Sequence, residues 1–173
     1  MTDSEIENEF YWGLYGVLSH WRMWLGGDQL RAVHVGFDSF NTEISISLLT
    51  NREPELERQN IDPFTEEYGD DWPTADWRLS CVNHTAKHLF PDCAGLLSWM
   101  RATIDAIEDQ SESRKFNERI QKLLFGVLTG DQIKKELGRF RDRDEPLRVR
   151  VAWFFGESLN GSLELGPSAS AAV

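Results

Sequence analysis

The chain has 173 residues, 40% of them hydrophobic and 27% charged, and its formal net charge is −11. That length suits one domain with a core of its own, and that composition excludes a largely disordered chain. The acidic balance repels phosphate backbones, which argues against nucleic acid as a partner, and it attracts basic proteins.

Taken in chain order, residues 4–25 are predicted to form an amphipathic helix. Ile6, Phe10, Leu14, Val17, Leu18, Trp21 and Leu25 recur at three- and four-residue steps, with Asp3 or Ser4 as the cap and Gly26-Gly27 as the stop. Two strands follow, 32–37 and 43–49, each alternating apolar with small or polar residues, joined by a hairpin loop at 38–42. Residues 50–75 are polar and interrupted by Pro54, Pro63, Gly69 and Pro73, a long loop of the kind that often carries function. A third strand is expected over 76–82. A second helix runs from Pro91 or Asp92 to about Asp109, with Cys93, Leu96, Leu97, Met100, Ile104 and Ile107 inward. A polar break at 110–113 precedes a third helix carrying Phe116, Ile120, Leu123, Leu124 and Val127. Thr129 or Asp131 opens a short fourth helix ending near Gly138 or Phe140, and 147–155 reads as a fourth strand. Helices and strands are not regularly interleaved. The expectation is therefore an α+β single domain over 1–165, with a mostly antiparallel sheet of about four strands packed against about four helices. Residues 166–173 are expected to be a flexible C-terminal tail.

No run approaches the roughly 18 consecutive apolar residues of a membrane span. The acidic start, from Met1 to Glu9, lacks the pattern of a secretory leader. Two cysteines make no disulfide framework, so a reducing, cytoplasmic setting is expected. Charge is unevenly spread. Residues 53–76 hold nine acids against Arg58, whereas 114–150 hold eleven bases against six acids.

The sharpest local constellation is Cys81, His84, His88 and Cys93, spaced C-x2-H-x3-H-x4-C. Zinc takes four such nitrogen and sulfur ligands in a tetrahedron. A free cysteine on a strand or at a helix start is equally a small hydrophobe for a core. Cys81 with His84 could also form a nucleophile and base, although on a strand the two would face opposite ways. Asp38, Asp70 and Asp71 are carboxylates near loops with nothing in the spacing to pair them. No phosphate-cradling glycine loop, H-E-x-x-H or G-x-S-x-G occurs, so no catalytic residue is assigned.

Seven tryptophans is a high count. Trp12, Trp21 and Trp24, near Tyr11, read as a thick aromatic core. Trp72 and Trp77 stand apart beside the acidic stretch, where an aromatic can anchor an interface. Asp70, Asp71, Trp72, Asp76 and Trp77 are therefore the candidate binding residues.

The segment Trp72-Pro-Thr-Ala-Asp-Trp77 resembles the W-x-x-A-[DE]-W segment of an uncharacterised bacterial domain family of similar length and element order. The resemblance implies a small cytosolic accessory protein of a kind often found beside toxin genes as an immunity factor. It brings no catalytic residues. The expectation is a non-catalytic acidic binding protein with a basic protein partner, acting through residues 53–77. A zinc-binding or Cys/His-dependent enzyme centred on 81–93 and a structural or oligomerising domain are the alternatives, and the sequence leaves the oligomeric state open.

Overall fold

A computed structural model of the chain describes residues 1–25, 29–51, 79–85, 90, 93–140, 146–153 and 158–165. Helix α1, Asp3–Leu25, starts where the sequence suggests but is capped one residue earlier. The Glu5 amide donates to Thr2 Oγ1 at 3.3 Å and the Thr2 amide donates to the Glu5 carboxylate at 2.7 Å, a reciprocal capping box. Those hydrogen bonds from Thr2 hold the Glu5 carboxyl below the usual carboxylate range.

The hairpin forms as expected from strands β1, Leu30–Asp38, and β2, Glu43–Thr50. The Asp38 carboxylate fixes its turn by accepting from the amides of Phe40 and Asn41 at 2.9 and 3.1 Å, and Thr42 takes a φ of 59°. The expected third strand is corrected. Of the described residues in 76–82, only Leu79 bridges β2, and Val82–Thr85 form a short helix, α2. Cys81, at φ 48°, turns the chain out of the extended path.

Helix α3, Ala94–Asp105, is shorter than expected, because Asp109 caps the next helix instead of ending this one. Its carboxylate accepts from the amides of Ser111 and Glu112, which also lowers its own pKa. The polar stretch 110–113 is thus the first turn of helix α4, Gln110–Thr129, rather than a break. Helix α5, Asp131–Leu137, follows after Gly130. Strand β3, Leu147–Trp153, is the expected late strand, and β4, Leu159–Leu163, is an additional one.

The architecture is α+β with one mixed sheet of order β2-β1-β3-β4. The β1–β2 and β3–β4 ladders are antiparallel, while β1–β3 is parallel. Parallel neighbours need a long crossover, and the helices between β2 and β3 supply it. One sheet face carries Val33, Val35, Phe37, Ile44, Ile46, Leu48, Leu147, Val149 and Val151, all buried. Helix α4 lies against β3 and β4 on this side, and α1 and α5 pack against α4. Gly161 exists for this packing, since a Cβ there would stand 3.0 Å from Phe125 Cζ and 3.3 Å from Val149 Cγ2. Gly13 does the same for α1, where a Cβ would meet Cys93 Sγ at 2.5 Å.

The other face is mixed, and is buried over β2 and β1 but exposed at β4. The strand register places Ser47, His34, Arg150 and Asn160 in one row across β2, β1, β3 and β4. Ser47 is 1% exposed, His34 9% and Arg150 4%. Burial, and then the charge of Arg150, lower the His34 pKa to about 3, so its imidazole is neutral at physiological pH.

The β2 edge is closed by residues 79–83. Leu48 donates its amide to Leu79 O at 3.0 Å, and the Cys81 amide donates to Ser47 Oγ at 3.0 Å. Asn83 imitates a strand: its Nδ2 donates to Ile44 O at 2.7 Å and its Oδ1 accepts from the Ile46 amide at 2.8 Å.

Candidate binding surface on the first helix

Helix α1 buries one apolar face and exposes a few large apolar side chains elsewhere. Ile6, Phe10, Leu14, Val17, Leu18 and Leu25 are buried, as the periodicity requires. The expectation of a tryptophan-rich core holds in part for Trp21 and Tyr11, which pack against the buried cluster, and is corrected for Trp12 and Trp24. Trp12 is 50% exposed, Met23 81% and Trp24 74%. Met23 follows Trp12 by eleven residues, about three turns, so the two share one solvent-facing stripe. Trp12 is held in place by its neighbours. It meets Tyr11 edge-on at a centroid distance of 5.0 Å and Tyr15 at 5.9 Å. An ordered, exposed tryptophan loses little entropy on docking, the property that makes tryptophan and tyrosine interface anchors.

Beside this stripe lies a cleft of about 360 Å3 between α1, the end of α4 and the start of α5. Its walls are Glu7, Asn8 and Tyr11 from α1, Gly126, Val127 and Gly130 from the end of α4 and the turn after it, and Asp131, Gln132 and Ile133 from α5. Both charged lining residues are acids, Asn8 and Gln132 add amides, and Tyr11 adds an aromatic side chain. Carboxylates and an aromatic face together suit a cation. The volume falls at the small end of ligand pockets and is ample for one side chain of a partner.

Gly126 gives the cleft an open floor. It sits inside α4, where glycine costs about 1 kcal/mol relative to alanine. A Cβ there would meet nothing within 4 Å, so packing inside the chain does not require the glycine. Close approach of another molecule to the helix backbone would require it.

The sequence-derived candidates are distributed as follows. Asp70, Asp71, Trp72, Asp76 and Trp77 lie outside the described residues, as does His88. Cys93 is fully buried between α1 and α3, its thiol donating to Glu9 O at 3.4 Å. Cys81 and His84 belong to the segment along the β2 edge, where His84 Nε2 lies 3.2 Å from a Glu43 carboxylate oxygen. Among the described residues no group of three histidine, cysteine or acidic side chains is arranged to hold a metal. No described helix is long and apolar enough to cross a membrane.

Glu7, Tyr11 and Asp131 are not paired by the sequence because α1 and the α4–α5 junction lie more than a hundred residues apart in the chain. The available signals were the Tyr11-Trp12 pair off the buried period of α1 and a glycine in the interior of α4. Comparison with known proteins returned no match: no family model, no curated protein and no solved structure.

Proposed function

We propose that this chain is a non-catalytic acidic binding protein that docks a basic protein partner, with α1 as the anchoring face. The observation that carries the reading is Trp12, exposed and braced, standing beside a cleft whose charged lining is wholly acidic. A lysine or arginine of the partner would enter between Glu7 and Asp131 against the Tyr11 ring, while Trp12 and Met23 supply apolar contact outside. The net charge of −11 would speed encounter with such a partner. Neutralisation of a toxin in the cytoplasm is the specific form we favour, from the resemblance carried by Trp72 to Trp77. In that form Asp70, Asp71, Trp72, Asp76 and Trp77 would extend the acidic, tryptophan-bearing surface.

Charge swaps test the reading. Glu7→Lys with Asp131→Lys should weaken binding of a lysine- and arginine-rich peptide by tenfold or more, roughly 1.4 kcal/mol. Glu108→Lys with Glu112→Lys changes the net charge equally but sits just before and within the first turn of α4, about 20 Å from its other end. If both pairs weaken binding alike, attraction is generic and the cleft has no special role.

A further inference from the structure

The two edges of the sheet are treated differently. The β2 edge is closed by Leu79 and by the paired hydrogen bonds of Asn83. At the other edge, β4 pairs only with β3 among the described residues. Edge strands are commonly blunted by shortness, which β4 shares at five residues, or by lysine, proline or an inward charge in the strand itself. Residues 159–163 read Leu-Asn-Gly-Ser-Leu and carry no lysine, proline or charge.

That sequence is self-complementary under a twofold axis. With the axis through Gly161, antiparallel pairing sets Leu159 against Leu163 of a second copy, Asn160 against Ser162, and Gly161 against itself. The faces agree as well. Leu159, Gly161 and Leu163 share the helix-covered face with Val151, Val149 and Leu147, whereas Asn160 and Ser162 share the polar face with Arg150 and Arg148. Leucine would therefore meet leucine on the apolar side, and amide would meet hydroxyl on the polar side. On the apolar side Phe125 lies over Gly161, so no side chain of β4 itself stands at the axis.

We infer that β4 is a homodimerisation edge, joining two copies into a continuous eight-stranded sheet of order β2-β1-β3-β4-β4-β3-β1-β2. The pairing would add roughly four to six backbone hydrogen bonds. Two five-residue edges bury less than the roughly 1,200–2,000 Å2 of a stable complex, so the dimer is weak and concentration-dependent. Each copy carries −11, so salt strengthens the dimer by screening, opposite to its effect on a basic partner.

The test is sedimentation equilibrium of the full chain from micromolar to millimolar concentration, alongside Asn160→Glu with Ser162→Glu. Both side chains are exposed. Within one copy the new acids would lie beside Arg150 and Arg148, so the fold should be spared. Across the axis each new acid would face another, lowering the association constant roughly tenfold or more. A second measurement on the unmodified chain is amide exchange of residues 159–163, which should slow as concentration rises. A monomer at every concentration, a dimer unaffected by the double substitution, or concentration-independent exchange in β4 would each overturn the inference.

Discussion

The Glu9 side chain on α1 accepts the backbone amide of Leu96 at 2.6 Å, so a carboxylate from one helix caps the start of another. Cys93, at the N-cap position of α3, caps none of the helix amides with its side chain, since its thiol donates to Glu9 O instead. Glu9 thus satisfies an amide that helix geometry leaves open and places negative charge at the positive end of α3. Glu9→Ala should cost about 1–2 kcal/mol in chemical denaturation. Glu9→Gln, which keeps an acceptor, should cost less than half of that. Equal losses would mean that packing, not capping, is the role of Glu9.

Asn83 holds the β2 edge with two hydrogen bonds and is 3% exposed. Asn83→Ala leaves the Ile46 amide and the Ile44 carbonyl without it and should destabilise by roughly 2–4 kcal/mol. It should also raise aggregation on heating, since it opens a strand edge. A Tm within a degree of the parent, with clean reversibility, would show that another group protects the edge.

The fold class was legible from element order, α1, the hairpin and β3 from their apolar periods, and α5 from its cap and stop residues. The misreadings share a physical cause. The third strand failed because Leu79 and Asn83 serve an edge through one bridge and one side chain, a job that leaves no alternating pattern. Strand β4 went unread because Asn160, Gly161 and Ser162 have low strand propensity, and pairing to β3 and packing under Phe125 override it. The helix boundary at 110 was hidden because Asp109 acts through capping geometry, which polar composition alone cannot distinguish from a loop. On α1, periodicity located the buried stripe correctly, but a high tryptophan count says nothing about direction. Only the packed helix shows Trp12 facing outward.

His34 sets a pH dependence. Its pKa is lowered to about 3 in the fold against an ordinary value near 6.5, so below pH 6.5 the unfolded chain binds a proton that the native one refuses. Its contribution to stability is therefore present above about pH 6.5 and lost as pH falls toward 3, at up to roughly 1.4 kcal/mol per unit. His34→Gln should flatten the stability profile between pH 6 and 4. An unchanged slope would assign acid lability to carboxylates instead.

Gly126 separates stability from binding. Gly126→Ala has space for its methyl group and should stabilise the chain by about 0.5–1 kcal/mol. If a partner side chain rests on the bare helix backbone there, the same substitution should weaken binding. A variant that is both more stable and equally competent to bind would remove Gly126 from the surface.

The most direct test of the α1 surface is a residue-resolved NMR titration of the chain with a lysine- and arginine-rich peptide at low and moderate salt. Docking at the cleft should concentrate shifts on Glu7, Tyr11, the Trp12 indole, Gly126 and Asp131, fading as salt rises. Shifts spread evenly over acidic residues elsewhere, or none at the cleft, would contradict it.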